Sequence, residues 1–288
     1  MRPAPQKTRS WAWLGLVPFF LFTFAFLLYP SSTIVIRSFQ DAETGGFTFQ
    51  NILALFQNPY IMGAYKISLQ ISLVTSVGGA IFGFLLAYAA IRGGLPVFMR
   101  ASLLTFCGVA SNFAGVPLAF AFIALLSPTG MLIAWMRAFG FNPYFHGFTL
   151  YTFWGLSLVY MYFQFPLMVL IIAPAIDGLR REWSEASQNL GATSSQYWRY
   201  VAFPILLPSL LGTTILLFGN AFGAFATAQA LTGGQINLVT IVIGSELRGD
   251  VLGNPGIGYA MALGMVVIMA LAITGYTILQ RRTERWLR

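Results

Sequence analysis

Side-chain amides stand inside otherwise apolar runs of this 288-residue chain, among them Asn112, Gln164, Asn220 and Gln229. An amide in hydrocarbon is costly. It either bonds to a neighbouring helix or lines a water-filled path along which a solute moves. Asn112 and Gln164 lie near Pro117 and Pro166, where helices bend. Gln70, Ser72, Thr75 and Ser111 pose the same choice, and for the hydroxyls bonding between helices is expected. The same runs carry no carboxylate constellation of the kind a proton-driven carrier or an intramembrane enzyme needs. His146 is the sole histidine and Cys107 the sole cysteine, so neither a metal site nor an internal disulfide is expected. The chain has no G-x-x-x-x-G-K-[ST] phosphate loop, so any use of ATP must come from a partner.

The elements that position these amides follow from the distribution of charge. Hydrophobic residues make up 57% of the chain and charged ones 8%, against about 25% charged in an average soluble domain. So few charges cannot cover a soluble surface without leaving large apolar patches. With 27 Phe the chain is also too apolar for disorder. Its solvent is therefore lipid, and its net charge of +8 reads as a topology signal rather than a nucleic-acid surface.

Six stretches of 25–46 residues lack Asp, Glu, Lys and Arg. About 20 apolar residues cross the hydrocarbon core as a helix. Spans are expected near 11–34, 67–91, 101–126, 149–175, 205–229 and 257–280, within a single permease domain covering 1–288. Runs such as Phe19-Phe20-Leu21-Phe22 do not alternate in polarity, so barrel strands are excluded and the fold is an all-α membrane protein. The first apolar stretch is too long for a signal peptide, and no small-x-small site follows it. Twelve basic residues fall on one side: Arg2, Lys7, Arg9, Arg92, Arg100, Arg180, Arg181, Arg199, Arg281, Arg282, Arg285 and Arg288. Arg37, Lys66, Arg137 and Arg248 fall on the other. This bias places both termini in the cytoplasm. Trp11, Trp13, Trp154 and Trp286 read as interface anchors. Gly79 with Gly83, and Gly219 with Gly223, read as close helix contacts.

The most polar segment is the cytoplasmic loop 177–204. Residues 180–190 read as a short helix in which Arg181 and Glu185, four apart, can pair. Trp183, Ala186, Leu190 and Ala192 give it a partly apolar face, and Gly191 stands where a helix stops. Thr193 or Ser194 can cap a second short helix. Pro204 and Pro208 are expected in the first turns of the fifth span. Such a helix–Gly–helix pair suits a docking element, or a loop packed only on its own bundle.

Within this loop, Glu185-Ala186-Ser187, three residues, Gly191, nine residues and Val201-Ala202-Phe203-Pro204 resemble the EAA loop of ABC importer permeases. The family pattern is E-A-A, three residues, G, nine residues, I-x-L-P. Ser187, Val201 and Phe203 depart from it conservatively, and Leu190-Gly191-Ala192-Thr193 is similar to the family's L-G-A-S/T. Tyr29-Pro30, Asn58-Pro59-Tyr60 and Ser68-Leu69 extend the likeness along the chain.

The resemblance implies a type I importer permease in the bacterial inner membrane that performs no catalysis itself. Its partners would be a second permease, identical or homologous, a dimer of cytoplasmic ATPases holding ATP and Mg2+, and an extracytoplasmic solute-binding protein. The loop would form a coupling helix on the ATPase, through Arg181, Trp183, Glu185, Ala186, Ser187, Leu190, Gly191 and Ala192. The tail of the fifth span, Phe222-Gly223-Ala224-Phe225-Ala226-Thr227, looks most like spermidine/putrescine permeases, a group whose members also move phosphonates, iron or other small ions. A polyamine is thus the leading expectation for the solute. Yet a cationic solute calls for acids or aromatic cages, and the amide positions supply no acid. Glu246 and Asp250 are expected outside the membrane, near the binding protein. The alternative is a stand-alone secondary transporter or channel, which would need an intramembrane ion site or repeats.

Overall fold

The computed structural model describes residues 15–41, 44–248 and 254–284. Its helices are α1 (Val17–Ser38), α2 (Gln50–Gln57), α3 (Pro59–Arg92), α4 (Val97–Asn112), α5 (Gly115–Leu126) and α6 (Met131–Ala138). They continue as α7 (Phe153–Asp177), α8 (Arg181–Asn189), α9 (Ser194–Phe222), α10 (Ala226–Thr232), α11 (Val239–Arg248) and α12 (Pro255–Glu284). Two compact units contain them. One joins the chain up to residue 58 with 243–265, and the other joins 59–242 with the chain from 266. Trp11, Trp13, Asp250 and Trp286 lie outside the described residues, as does the predicted start of the first span at 11–14.

In the first unit, α1 has none of its most apolar window buried. Phe19, Phe20, Leu21 and Phe22 are all exposed, so this helix is apolar on every side and needs lipid or a partner around it. Pro30 lacks an N–H, and its ring crowds the carbonyl four residues back. The helix answers by widening over Phe24–Leu28, where the N–H of Tyr29 reaches back to the Phe24 carbonyl. After α1 the chain turns through a Gln40–Phe47 bridge. Buried Asn51 donates from Nδ2 to the Ser38 carbonyl at 3.3 Å and the Gln40 carbonyl at 2.9 Å, tying α2 to that turn. Glu246 accepts the N–H of Asn254 at 2.8 Å, so the acid expected to face a partner is engaged within its own unit.

The second unit is organised around α7, most of which is buried. One apolar cluster gathers on its first half, from Leu156 to Phe163, with Ile71, Leu118 and Ala221. A second gathers on its latter half, from Met168 to Ile176, with Ala87, Cys107 and Leu206. Cys107 is therefore a packing residue. Gly79 and Gly83 let α3 lie against α7. A Cβ at Gly79 would stand 2.7 Å from that of Gln164, and one at Gly83 would stand 2.5 Å from that of Met168. At Gly219 a Cβ would meet the Met269 methyl at 2.7 Å, which brings α9 close to α12.

The third apolar stretch differs from the single helix expected over 101–126. It is two helices, α4 and α5, of 16 and 12 residues. Pro117 cannot donate to the Phe113 carbonyl and would clash with it, so the helix stops at Asn112 and restarts at Gly115. Gly115 takes φ +75°, open to glycine without penalty. Arg100 of α4 pairs with Asp177 at the end of α7, and Tyr144, ahead of α7, donates to the Leu126 carbonyl at 2.7 Å. Helix α4 packs along α7, whereas α5 packs chiefly against α10; they are about 24 and 18 Å of helix at roughly 1.5 Å per residue.

The fifth stretch also differs from expectation. A continuous helix begins at Ser194, so Pro204 and Pro208 lie well inside it rather than in its first turns. The helix widens over Trp198–Ala202 just ahead of Pro204, the same device as in α1, and the N–H of Phe203 reaches Trp198. It ends at Phe222, short of the expected 229, so Gln229 falls in the separate helix α10.

Candidate functional site

Two features of the second unit carry functional geometry. The first is a pair of facing helix breaks, one between α4 and α5, the other between α9 and α10. The Gly115 N–H at the first break donates to Thr227 Oγ1 at the second, at 2.8 Å. Tyr160 of α7 donates from its hydroxyl to the Ala224 carbonyl at 2.9 Å. Backbone groups freed by the breaks are thus met by side chains, as irregular backbone at membrane depth requires. A cavity of about 360 Å³ opens between the breaks, lined by Ser111, Phe163, Asn220, Phe225 and Thr227 among others. Among the described residues its lining contains no ionisable side chain.

The four predicted amides do not share one place. Asn220 lines the cavity, beside Ser111. Asn112 is exposed next to it, with Nδ2 donating to the Gly108 carbonyl at 2.9 Å. Gln164 is fully buried and donates from Nε2 to the Leu217 carbonyl at 2.9 Å, locking α7 to α9. Its Oε1 meets no hydrogen-bond partner among the described residues. Gln229 is half-buried within α10. Ser72 and Thr75 bond back to carbonyls of their own helix. Thr227 and Tyr160 were not singled out in the sequence. Their signal was the glycines at 115 and 223 inside apolar runs, which mark a break as readily as close packing.

The second feature is the loop after α7. Helix α8 spans Arg181–Asn189 and contains no buried residue. Its end is a complete Schellman closure. The Gly191 N–H bonds to the Gln188 carbonyl and the Ala192 N–H to the Ser187 carbonyl, both at 2.9 Å. Gly191 sits at φ +76°, which explains why a glycine stands there. Thr193 then caps α9 in a reciprocal box with Gln196, as expected for Thr193 or Ser194. Leu190 is 87% exposed at the tip, with Trp183, Glu185 and Ala186 also exposed. Arg180 lies over the Trp183 ring at 5.8 Å. Among the described residues no ion pair joins Arg181 to Glu185. Both side chains are solvated, where such a pair gains little.

The roots of this loop are held firmly. Arg92, at the end of α3, donates to the carbonyls of Ile176, at 3.1 Å, and Leu179. A cation there meets the negative end of α7. Tyr88 of α3 packs edge-on against Trp198 of α9 at 5.0 Å.

A helical membrane bundle with broken spans around a cavity, and an exposed helix mounted on one face, defines the membrane subunit of a transporter. The chain matches the model of the family described as binding-protein-dependent transport system inner membrane component over residues 10–285, and it belongs to that family. It is 27% identical over 222 residues to the sulfate transport system permease protein CysT of Salmonella typhimurium, covering 76% of this chain and 74% of that one. It is 33% identical over 128 residues to the spermidine/putrescine permease PotB of Haemophilus influenzae, 43% of this chain and 44% of that one. Among solved structures it is similar to a bacterial ABC transporter that imports alginate, with a TM-score of 0.75 at 19% identity, covering 94% of each chain. The chain is thus a multi-pass permease subunit of an ABC importer in the inner membrane, and not an enzyme. That membership sets aside the stand-alone carrier or channel.

Proposed function

We propose that α8 is the docking helix for a cytoplasmic ATPase and that the cavity between the two breaks is this chain's share of the translocation path. The observation that carries the reading is α8 itself. It is a helix with no buried residue, closed at Gly191 and tipped by a fully exposed leucine. Such a surface is stable in water only at a cost in exposed apolar area, which a partner groove removes. Glu185 is placed to pair with a basic group of the ATPase, Ala186 permits close approach, and Ser187 and Ala192 belong to the closure. ATP and Mg2+ belong to that partner. A second permease would complete the path. A binding protein would deliver solute, in keeping with the similar alginate transporter solved with its periplasmic protein bound.

For the solute, the cavity presents only neutral hydroxyl, amide and backbone groups, which suits a neutral polar molecule or an anion held by N–H and O–H donors and offers no carboxylate to a polyamine. A dication in a low-dielectric path needs carboxylates, and the lining offers hydroxyls, an amide and backbone instead. The likeness to CysT points the same way, to sulfate. The polyamine reading rests on the likeness to PotB. Thermal shift of the cognate binding protein with sulfate and with spermidine separates the two. A sulfate shift supports the cavity argument, and a spermidine shift overturns it.

A further inference from the structure

We infer that Arg92 and Arg100 are positioning residues that join the docking helix to the cavity. This rests on the reading of α8 as the ATPase contact. Since α8 buries nothing of its own, a displacement imposed on it reaches the bundle only through its two roots. Both roots are tied to α3, and the first is tied to α4 as well. At the first root, Arg92 grips two carbonyls beyond and within the end of α7, and Arg100 pairs with Asp177. At the second root, Trp198 packs edge-on against Tyr88, one turn before Arg92 on the same helix. Leu179, between the first root and α8, is 4% exposed and packed in the inner apolar cluster, so that root cannot swing freely.

The path from this joint to the cavity is short and covalent. Arg100 lies on α4, and α4 ends at the break that carries Ser111, Ala114 and Gly115 into the cavity lining. A shift of the α7–α8 corner therefore moves α4 along with it, and the interrupted backbone at Phe113–Ala114 is the compliant point where that shift is expressed. An intact helix would carry the displacement through to α5. The broken one converts it into a change at Gly115 and its bond to Thr227. Arg92 holds both carbonyls from a single nitrogen, Nη2, so one side chain ties the end of α7 to the start of the loop beyond it.

The test is hydrogen exchange on the whole transporter, permeases with their ATPases, free of nucleotide and trapped with ATP and vanadate. In the wild type, trapping changes exchange both in residues 181–189 and at the break, 111–115. In Arg92→Gln and Arg100→Gln the response of 181–189 is retained, and that at 111–115 falls by about fivefold or more, the lower end of couplings between sites. The exchanged pair Arg100→Asp with Asp177→Arg restores the response, which separates transmission from simple misfolding. An undiminished response at 111–115 in both glutamine variants overturns the inference. A wild type in which 181–189 is itself unchanged on trapping overturns the reading of α8 instead.

Discussion

Replacing Gly191 with alanine isolates the conformational role of the glycine. A Cβ at Gly191 meets nothing within 4 Å, so no clash is introduced. The cost is that of holding a non-glycine residue at φ +76°, about 1–2 kcal/mol. The nine-residue helix before it has no buried side chain to draw on, and short helices are marginal in water. The whole penalty therefore falls on the population of closed α8, which drops by about 5–30-fold relative to its frayed form. A partner that recognises only the closed form binds more weakly by the same factor once that form is the minority. Titrating the ATPase against detergent-solubilised permease should show the weakening for Gly191→Ala. Gly191→Asn should fall between alanine and wild type, because asparagine tolerates the left-handed region. Gly191→Asp, which adds a negative charge at the negative end of α8, should abolish uptake while the protein still inserts. Equal ATPase affinity for glycine and alanine would refute the reasoning, since it would mean that the closure contributes nothing to docking.

Other residues give independent tests. Gly83→Leu forces α3 away from Met168 and the Phe165 carbonyl, which a Cβ would meet at 2.5 and 3.0 Å. A loss of about 1–3 kcal/mol or more is expected, read as a lower melting temperature in detergent. Thr227→Val keeps the shape but leaves the Gly115 N–H without its 2.8 Å acceptor. A cost of about 1–3 kcal/mol follows, read as faster hydrogen exchange at the break. Asn220→Asp places a carboxylate in a cavity whose described lining has no ionisable group, and should lower uptake of an anionic solute more than tenfold, roughly the factor set by 1.4 kcal/mol of repulsion. Tyr144→Phe removes the bond to the Leu126 carbonyl and should lower stability by about 1 kcal/mol.

Much of the fold is legible in the sequence because one physical constraint dominates it. Charge-free stretches of at least 25 residues have few alternatives to a spanning helix, and the loop arginines fix their direction. The docking helix is legible for a local reason: the closure at Gly191 and the cap at Thr193 are set by neighbouring residues alone. The breaks were not. Gly115 and Pro117 suggest a bend, but whether a helix bends or stops depends on what receives the freed N–H. That acceptor, Thr227, lies 112 residues away. For the same reason Gln164 and Asn220 look alike in sequence. Only packing sends one to bond Leu217 and the other to the cavity wall.

Coupling in this permease requires the ATPase to seat on α8. Co-purification of the ATPase with wild-type permease, Glu185→Lys and Leu190→Asp tests it directly, with membrane insertion checked in each. Retention by the wild type and loss by both variants, each inserted and folded, is the expected result. Full retention of a functional ATPase by both variants would contradict it.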